Sequence, residues 1–306
     1  MSFSLLSYGR LSRKPLLFKS FTGLSVQQFD DIYDKEITKR YHDYELQRLS
    51  SKRKNRERSI GAGRPFKLEV KDRFLMLLVY YRLYITCTLA GFLFDLDQSN
   101  ICRDIQKLEK LIRQCLPIPQ KIYNISKRLK TPDEVEKYFP GFLAFIDSTE
   151  QQIPRFKKNR KRNAYYSGKK KRYTVKTQMM VNKHGIIIHK SAKKKGKRHD
   201  YDIYKENHPV TPKQVVNVVD LGYLGIEKDF PEQLSSLPNR KNRNKELSQE
   251  EIECNKNHSK KRIVIEHTIC RLKKYRIVAD TFRNKLRRYN KISDIVSGLI
   301  NYRIMI

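Results

Sequence analysis

Two apolar runs in the second half of the chain are each followed at once by an aspartate. Residues 142–146 precede Asp147, and residues 215–219, apolar except for one Asn, precede Asp220. Short apolar runs bounded by turn-forming residues are typical of strands buried on both faces of a sheet. Open α/β sheets place their sites at the carboxyl ends of strands. A single such aspartate is better explained as a turn residue, but two of them predict an acidic site at the centre of a sheet.

The remainder of the second half fits a mixed α/β domain. Further strands are predicted at residues 177–181 and 185–190. A polar insertion rich in Lys and Asn is predicted at 239–261, and a long helix at 259–279. Strands followed by a helix that covers them indicate an α/β fold for residues 141–306.

The predicted long helix carries a charged stripe beside its apolar face. Successive residues of a helix are rotated by about 100° around its axis, which places Glu266 about 40° and Lys273 about 20° around the axis from Arg262. Ile265 and Leu272 belong to the neighbouring apolar face. A ladder of surface ion pairs is the alternative, because acid–base pairs four residues apart are common on helices. It does not explain why the stripe borders the core face, so Glu266 is predicted to be a third carboxylate of the acidic site.

Carboxylates that converge in a partly dry site repel one another, and a divalent cation removes that repulsion. An all-oxygen ligand set selects Mg²⁺ or Mn²⁺. Two such ions about 3.5–4 Å apart can activate a water or hydroxyl and stabilise the leaving oxygen of a phosphodiester. Asp147, Asp220 and Glu266 are therefore predicted to be both the catalytic residues and the ligands of two metal ions.

The large positive charge of the chain indicates a polyanionic partner. Lys and Arg number 66 against 32 Asp and Glu in 306 residues, which gives a net charge of +34, while 39% hydrophobic residues exclude wholesale disorder. Basic tracts at 155–172 and 190–198 are predicted to grip phosphates, and Tyr165 and Tyr166 interrupt the first. A merely solvated surface is the alternative for either tract.

The first half is predicted to be helical, with a helix-turn-helix at residues 61–116. A short helix at 88–94, a turn and a helix capped by Ser99 give the spacing of that motif. The short helix is expected to bury Leu89, Phe92 and Leu93. The exposed start of the last helix offers side chains that match base edges in a major groove, namely Gln98, Asn100 and Arg103. A helical hairpin of purely structural purpose is the alternative.

The flanks of this module are less regular. Residues 1–60 are predicted to be a helical and basic segment, and the Pro-rich residues 117–140 a connector. Arg64, between Gly63 and Pro65, fits an extended arm that enters a minor groove, with a flexible linker as the alternative.

Several other classes of protein are excluded. The apolar stretch 74–94 has Arg82 near its middle, and a charge at mid-bilayer costs about 2.5–3.5 kcal/mol, so two helices with a break near 84–86 are expected instead of a membrane span. The first residues lack the pattern of a secretory signal. Five Cys without metal-ligand spacing indicate reduced thiols and a cytoplasmic protein.

The sequence resembles the DDE transposases of bacterial insertion sequences, in a branch similar to eukaryotic Harbinger elements. The resemblance covers roughly residues 60–303, and its last element is an Arg, three residues, a Glu, six residues and a Lys. Where many relatives carry Tyr three residues before that Arg, this chain has Ser259. The matching motifs are residues 145–150, 166–170, 198–200, 220–225 and 262–266 with Lys273.

The resemblance implies a ribonuclease-H-like core, with Asp147, Asp220 and Glu266 as metal ligands. It also implies a helix-turn-helix that finds the ends of the element. The residues expected to contact DNA are Arg262, Lys273, Lys169, Lys170, Arg64, Gln98, Asn100 and Arg103. His199 and Asp200 recur in the family pattern, and here Asp200 is interpreted as a helix N-cap, with His199 steering the loop.

The leading hypothesis is a Mg²⁺-dependent transposase that hydrolyses duplex DNA at element ends and transfers the 3′-OH into target DNA. It is expected to act as a homodimer or higher oligomer, associated with the nucleoid, without a membrane or small-molecule partner. The alternatives are a catalytically inactive, sequence-specific DNA-binding protein and an RNA-binding protein.

Overall fold

The structure, a computed structural model, describes residues 4–50, 62, 65–241 and 246–306. Arg64 lies outside the described residues, so its role in a minor groove stays a prediction. The chain divides into one unit of residues up to Leu116 with Lys274–Ile277, and another of Pro117–Lys273 with Val278–Ile306. The predicted division at 61–116, 117–140 and 141–306 is finer than these two units.

The described part of the first unit is built from helices packed around aromatic rings. Phe29 stacks on Tyr8 and on Phe74, with ring centroids 5.3 and 4.7 Å apart. A π-helical turn at Tyr33–Ile37 joins the third helix to the fourth. The helices are α1 (Tyr8–Leu11), α2 (Pro15–Thr22), α3 (Val26–Ile32), α4 (Thr38–Ser50), α5 (Val70–Leu83), α6 (Cys87–Phe94) and α7 (Gln98–Cys115).

The apolar stretch 74–94 forms two helices, as predicted. Tyr84 ends α5 in the left-handed backbone conformation, with a φ of 51°, and the hydroxyl of Thr86 caps α6 by accepting a hydrogen bond from the Leu89 N–H. Among the described helices, none combines the length and the apolar character needed to cross a bilayer.

The pair α6 and α7 forms the predicted helix-turn-helix with two corrections. Asp97, not Ser99, caps α7, because its carboxylate accepts the Ser99 N–H at 2.8 Å. The predicted buried face of α6 is wrong, since Leu89 and Phe92 are 45% and 69% exposed while Ala90, Gly91 and Phe94 are buried. This helix is apolar all round, so its periodicity could not indicate which side faces the core.

The second unit is a mixed α/β domain, which confirms the predicted fold class. Its sheet runs in the order β2-β3-β1-β6-β7, with β4 and β5 also paired to β3. The β1–β3 and β3–β4 pairs are antiparallel, and the β1–β6 and β6–β7 pairs are parallel. The strands are β1 (Leu143–Gln152), β2 (Tyr166–Ser167), β3 (Arg172–Asn182), β4 (Ile187–Lys190), β5 (Lys194–Lys195), β6 (Val216–Val218) and β7 (Ser235–Ser236).

Helices flank this sheet. Val135, Tyr204 and Val219 belong to one buried apolar cluster together with Ile146 of β1 and Met180 of β3. The helices of this unit are α8 (Pro119–Ser126), α9 (Pro132–Tyr138), α10 (Asn159–Tyr165), α11 (Asp200–Asn207), α12 (Ile226–Asp229), α13 (Gln249–Lys273) and, after the short α14 (Arg276–Ala279) whose first residues belong to the first unit, α15 (Tyr289–Met305). The predicted connector 117–140 thus contains α8 and α9, and both contribute to this core.

Two predicted boundaries in this unit are wrong. The strand that holds Asp147 does not end there, because β1 continues to Gln152 in antiparallel register with β3. The long helix begins at Gln249, ten residues before the predicted start at Ser259. Ser248 and Glu251 form a capping pair at this start, which lies inside the segment predicted as a polar insertion.

Candidate active site

The register of two parallel strands places Asp147 and Asp220 side by side. Phe145 of β1 is paired with Val218 of β6, and each aspartate lies two residues beyond its paired position. Asp220 lies two residues after the end of β6 and caps a short 3₁₀ turn by accepting the Gly222 N–H at 2.9 Å. The prediction that these two acids come together therefore agrees with the pairing of the strands that carry them.

A guanidinium from α13 lies between the two carboxylates. Nη2 of Arg262 is 3.6 Å from Oδ2 of Asp147 and 3.8 Å from Oδ2 of Asp220. These distances allow charge attraction but exceed those of a hydrogen bond. Nε of Arg262 is buried without a hydrogen-bond partner among the described residues. Arg262 therefore offsets the charge of both acids while being held loosely.

The pKa of the Asp147 carboxyl is higher than that of an ordinary aspartate. Burial raises its pKa to about 6, and the neighbouring charges of Asp220 and Asp200 add to that rise. The Ser148 N–H, which donates to Oδ1 at 2.7 Å, and the charge of Arg262 act in the opposite direction. Asp147 is thus harder to ionise than an ordinary aspartate, although the carboxylate still predominates at neutral pH.

Glu266 is not gathered into a closed cluster with the two aspartates. Its side chain is exposed, one helical turn, or about 6 Å, along α13 from Arg262. In the described part of the chain, no three Asp, Glu, His or Cys side chains are grouped closely enough to hold a metal ion. The structure brings two of the three predicted ligands together, and the metal-binding role of Glu266 stays a prediction.

Lys273, expected to contact DNA, is occupied inside the second unit. Its ammonium donates to the backbone carbonyls of Glu150 at 2.7 Å and Val278 at 3.1 Å. Burial, together with the nearby charge of Lys170, lowers its pKa to about 8. The side chain thus ties α13 to β1 at the opposite end of the stripe from Arg262.

A buried ionic network beside the acids escaped the sequence analysis. Lys176 of β3 lies 3.0 Å from Oδ1 of Asp200 and 3.6 Å from Oε1 of Glu150. His199, not Asp200, caps α11, so the predicted cap is corrected by one residue. The available signal was Lys176 itself, a charged residue next to the apolar run of β3 that needs acidic partners if it is buried.

The other predicted DNA contacts lie at two exposed places. Lys169 and Lys170 are in the turn between β2 and β3, and they make no ion pair within the described residues. Gln98, Asn100 and Arg103 are exposed at the start of α7, where Gln98 accepts a hydrogen bond from Thr88. The same exposed side of α7 continues to Gln106 and Lys110, which the sequence analysis did not select.

The residues of this site fit a divalent cation. All of the candidate ligands are carboxylates, and hard oxygen donors suit Mg²⁺ or Mn²⁺. Asp147 and Asp220 share the single guanidinium of Arg262, so the pair keeps a net negative charge that a cation can offset.

The comparisons with known proteins agree with this geometry. A model of the DDE superfamily endonuclease family matches residues 146–301, and a model of the helix-turn-helix of DDE superfamily endonucleases matches residues 66–118. The chain is 30% identical over 289 residues to a probable transposase for insertion sequence element IS702 from Microchaete diplosiphon, with 94% of each chain covered. No solved structure matches the chain significantly.

Proposed function

Because this chain belongs to the DDE superfamily of endonucleases, we propose that it is the transposase of an insertion sequence. The observation that supports this most directly is the acid pair. Parallel strands place Asp147 and Asp220 side by side, and Arg262 lies within 4 Å of both carboxylates. We further propose hydrolysis of DNA at the element ends and transfer of the freed 3′-OH into target DNA. The motifs favour the Harbinger-like branch of the family.

The proposed metal ligands are Asp147, Asp220 and Glu266. The superfamily generally uses divalent metal ions. Bound there, Mg²⁺ or Mn²⁺ would supply the positive charge that lowers the pKa of an attacking water or hydroxyl and stabilises the leaving oxygen, and we propose two ions per site. Glu266 lies on the exposed side of α13, and we propose that its carboxylate would turn toward the acid pair when a cation is bound.

The chain's own residues prepare this site. Paired β1 and β6 fix the separation of the two aspartates, so little reorganisation is needed when substrate arrives. Arg262 reduces their repulsion and, being loosely held, can also reach a phosphate oxygen. Lys273 holds α13 against β1, the helix and the strand that carry Arg262 and Asp147.

Recognition of the element ends is assigned to the first unit. Asn100 and Arg103 are exposed at the start of α7, as the second helix of a helix-turn-helix requires for entering a major groove. Two ends must be joined, so we propose a homodimer or higher oligomer on DNA, with the protein in the cytoplasm and associated with the nucleoid.

The test is nicking of labelled duplex DNA that copies an inverted repeat flanking the gene. The wild-type chain with Mg²⁺ should nick at the repeat boundary. Asp147→Ala and Glu266→Gln should each abolish nicking while leaving DNA affinity within a few fold. Nicking that persists in either variant would refute the assignment of that residue.

The exposed position of Glu266 favours one alternative, a sequence-specific DNA-binding protein without catalysis. That function predicts tight binding to the same duplex and no nicking with Mg²⁺ or Mn²⁺. A metal titration of wild-type nicking therefore separates the two functions in one experiment.

A further inference from the structure

An exposed tyrosine lies in the middle of the basic hairpin formed by β2 and β3. Tyr166 is 41% exposed and is the cross-strand partner of Tyr173, whose ring meets it edge to face at 5.7 Å. An edge-to-face contact uses little of an aromatic face, so one face of the Tyr166 ring is available to another flat group.

The turn beside this ring carries uncompensated positive charge. Lys169, Lys170 and Lys171 are all exposed, and within the described ranges none of them forms an ion pair. Ser167 holds the turn in shape by accepting a hydrogen bond from the Lys170 N–H at 3.2 Å. Aromatic faces combined with a cationic groove are the means by which proteins hold nucleic-acid strands, through base stacking and phosphate contacts.

The hairpin is connected to the acid pair along both β1 and α13. The Tyr173 carbonyl accepts the N–H of Ile153 at 2.9 Å, so the hairpin is at the level of Ile153, six residues or about 20 Å beyond Asp147. On the helix side, Lys170 is close enough to Lys273 to lower its pKa. Arg262 lies on the same stripe as Lys273, about 16 Å back toward the acids.

A strand of DNA rises by about 3.4 Å per nucleotide, so 20 Å corresponds to about six nucleotides. We propose that Tyr166 is a DNA-positioning residue that stacks on a nucleobase about six nucleotides from the phosphate at the acid pair, while Lys169 and Lys170 hold the backbone beside it. The inference rests on the proposed function, because it takes the acid pair as the cutting site.

The test uses duplexes that copy the inverted repeat, each with one 2-aminopurine at a successive position from the cut site. Binding is measured in Ca²⁺ to separate it from cutting. Wild-type protein should change the fluorescence most at one position about six nucleotides from the cut. Tyr166→Phe should preserve the change, because the ring remains. Tyr166→Ala should abolish it and weaken binding about 5- to 100-fold.

The control is Lys169→Gln, which should reduce the salt dependence of binding without moving the fluorescence maximum. The inference is overturned if Tyr166→Ala gives the wild-type fluorescence pattern, or if the wild-type maximum is absent or lies at the cut site itself. Cutting by wild type in Mg²⁺ is scored separately, so a protein that cuts but shows no such maximum refutes the stacking alone. A protein that shows the maximum but never cuts refutes the proposed catalysis alone.

Discussion

The guanidinium of Arg262 lies 3.6 Å from the carboxylate of Asp147, although 115 positions separate the two residues in the sequence. Strand β1 and helix α13 meet at this point, and the cation partly offsets an acid whose burial disfavours its ionised form. The first two predictions follow from this relationship.

Asp147→Asn should stabilise the metal-free protein at pH 7.5. The folded-state pKa of about 6 lies above the ordinary value of 3.8, so ionised Asp147 costs the folded state free energy at neutral pH. We expect a gain of about 1–3 kcal/mol in the free energy of unfolding, measured by urea denaturation. The gain should shrink as the pH falls through 6 toward 4, because Asp147 then becomes protonated in the folded state. An equal gain at both ends of this pH range would contradict the assignment.

On the proposed role of Asp147 as a metal ligand, the rate of nicking at subsaturating Mg²⁺ should fall as the pH drops below about 6, because the protonated carboxyl could not bind a cation. Arg262→Gln should move this acid limb to higher pH, since the charge of Arg262 favours the carboxylate. The measurement is the single-turnover nicking rate from pH 5 to pH 8 for both proteins. Superimposable profiles would show that the guanidinium does not act on Asp147.

Lys273→Met should destabilise the fold by about 1–3 kcal/mol, because two backbone carbonyls lose a charged donor while the aliphatic stem is retained. Lys169→Met, at an exposed lysine of the hairpin turn, is the matched control and should change stability by less than about 0.5 kcal/mol. Urea denaturation of both variants checks this. Equal stability of the two variants would mean that Lys273 is not the tie between α13 and β1.

Gly91→Ala should disrupt the helix-turn-helix. A Cβ at Gly91 would lie 2.5 Å from the Leu96 carbonyl oxygen, so the turn between α6 and α7 would have to move. We expect a loss of about 2 kcal/mol or more in stability, together with weaker DNA binding. Gly9→Ala is the control, because a Cβ at Gly9 meets nothing within 4 Å and alanine favours a helix. Thermal denaturation should show a lower melting temperature for Gly91→Ala than for wild type and no decrease for Gly9→Ala. DNA-binding titrations should show weaker binding only for Gly91→Ala.

The parts of this molecule that sequence reasoning predicted are those controlled by local pattern. The apolar stretch 74–94 breaks near residues 84–86 as predicted, because Tyr84 ends α5 and the nearby Thr86 side chain caps α6. The strand before Asp220 was also predicted, since a short apolar run between polar residues has few alternatives.

The parts that escaped prediction depend on distant residues. β1 extends past Asp147 because β3 pairs with it over its whole length, a fact that no local pattern in β1 contains. The pairing of Lys176 with Glu150 and Asp200 likewise depends on where three separate elements meet. For Glu266 the spacing indicates only a position on α13, and it does not determine the distance of the carboxylate from the acid pair.

Because β1 pairs with β6, the acid pair can form only after both strands have been synthesised. The acids meet only after residues 73 positions apart have paired, and Arg262 joins from a helix synthesised later still. A nascent chain on the ribosome, or a truncated product that stops before α13, holds its aspartates without their arginine. On the proposed function, a fragment that ends before α13 would lack part of the site and would not cut DNA.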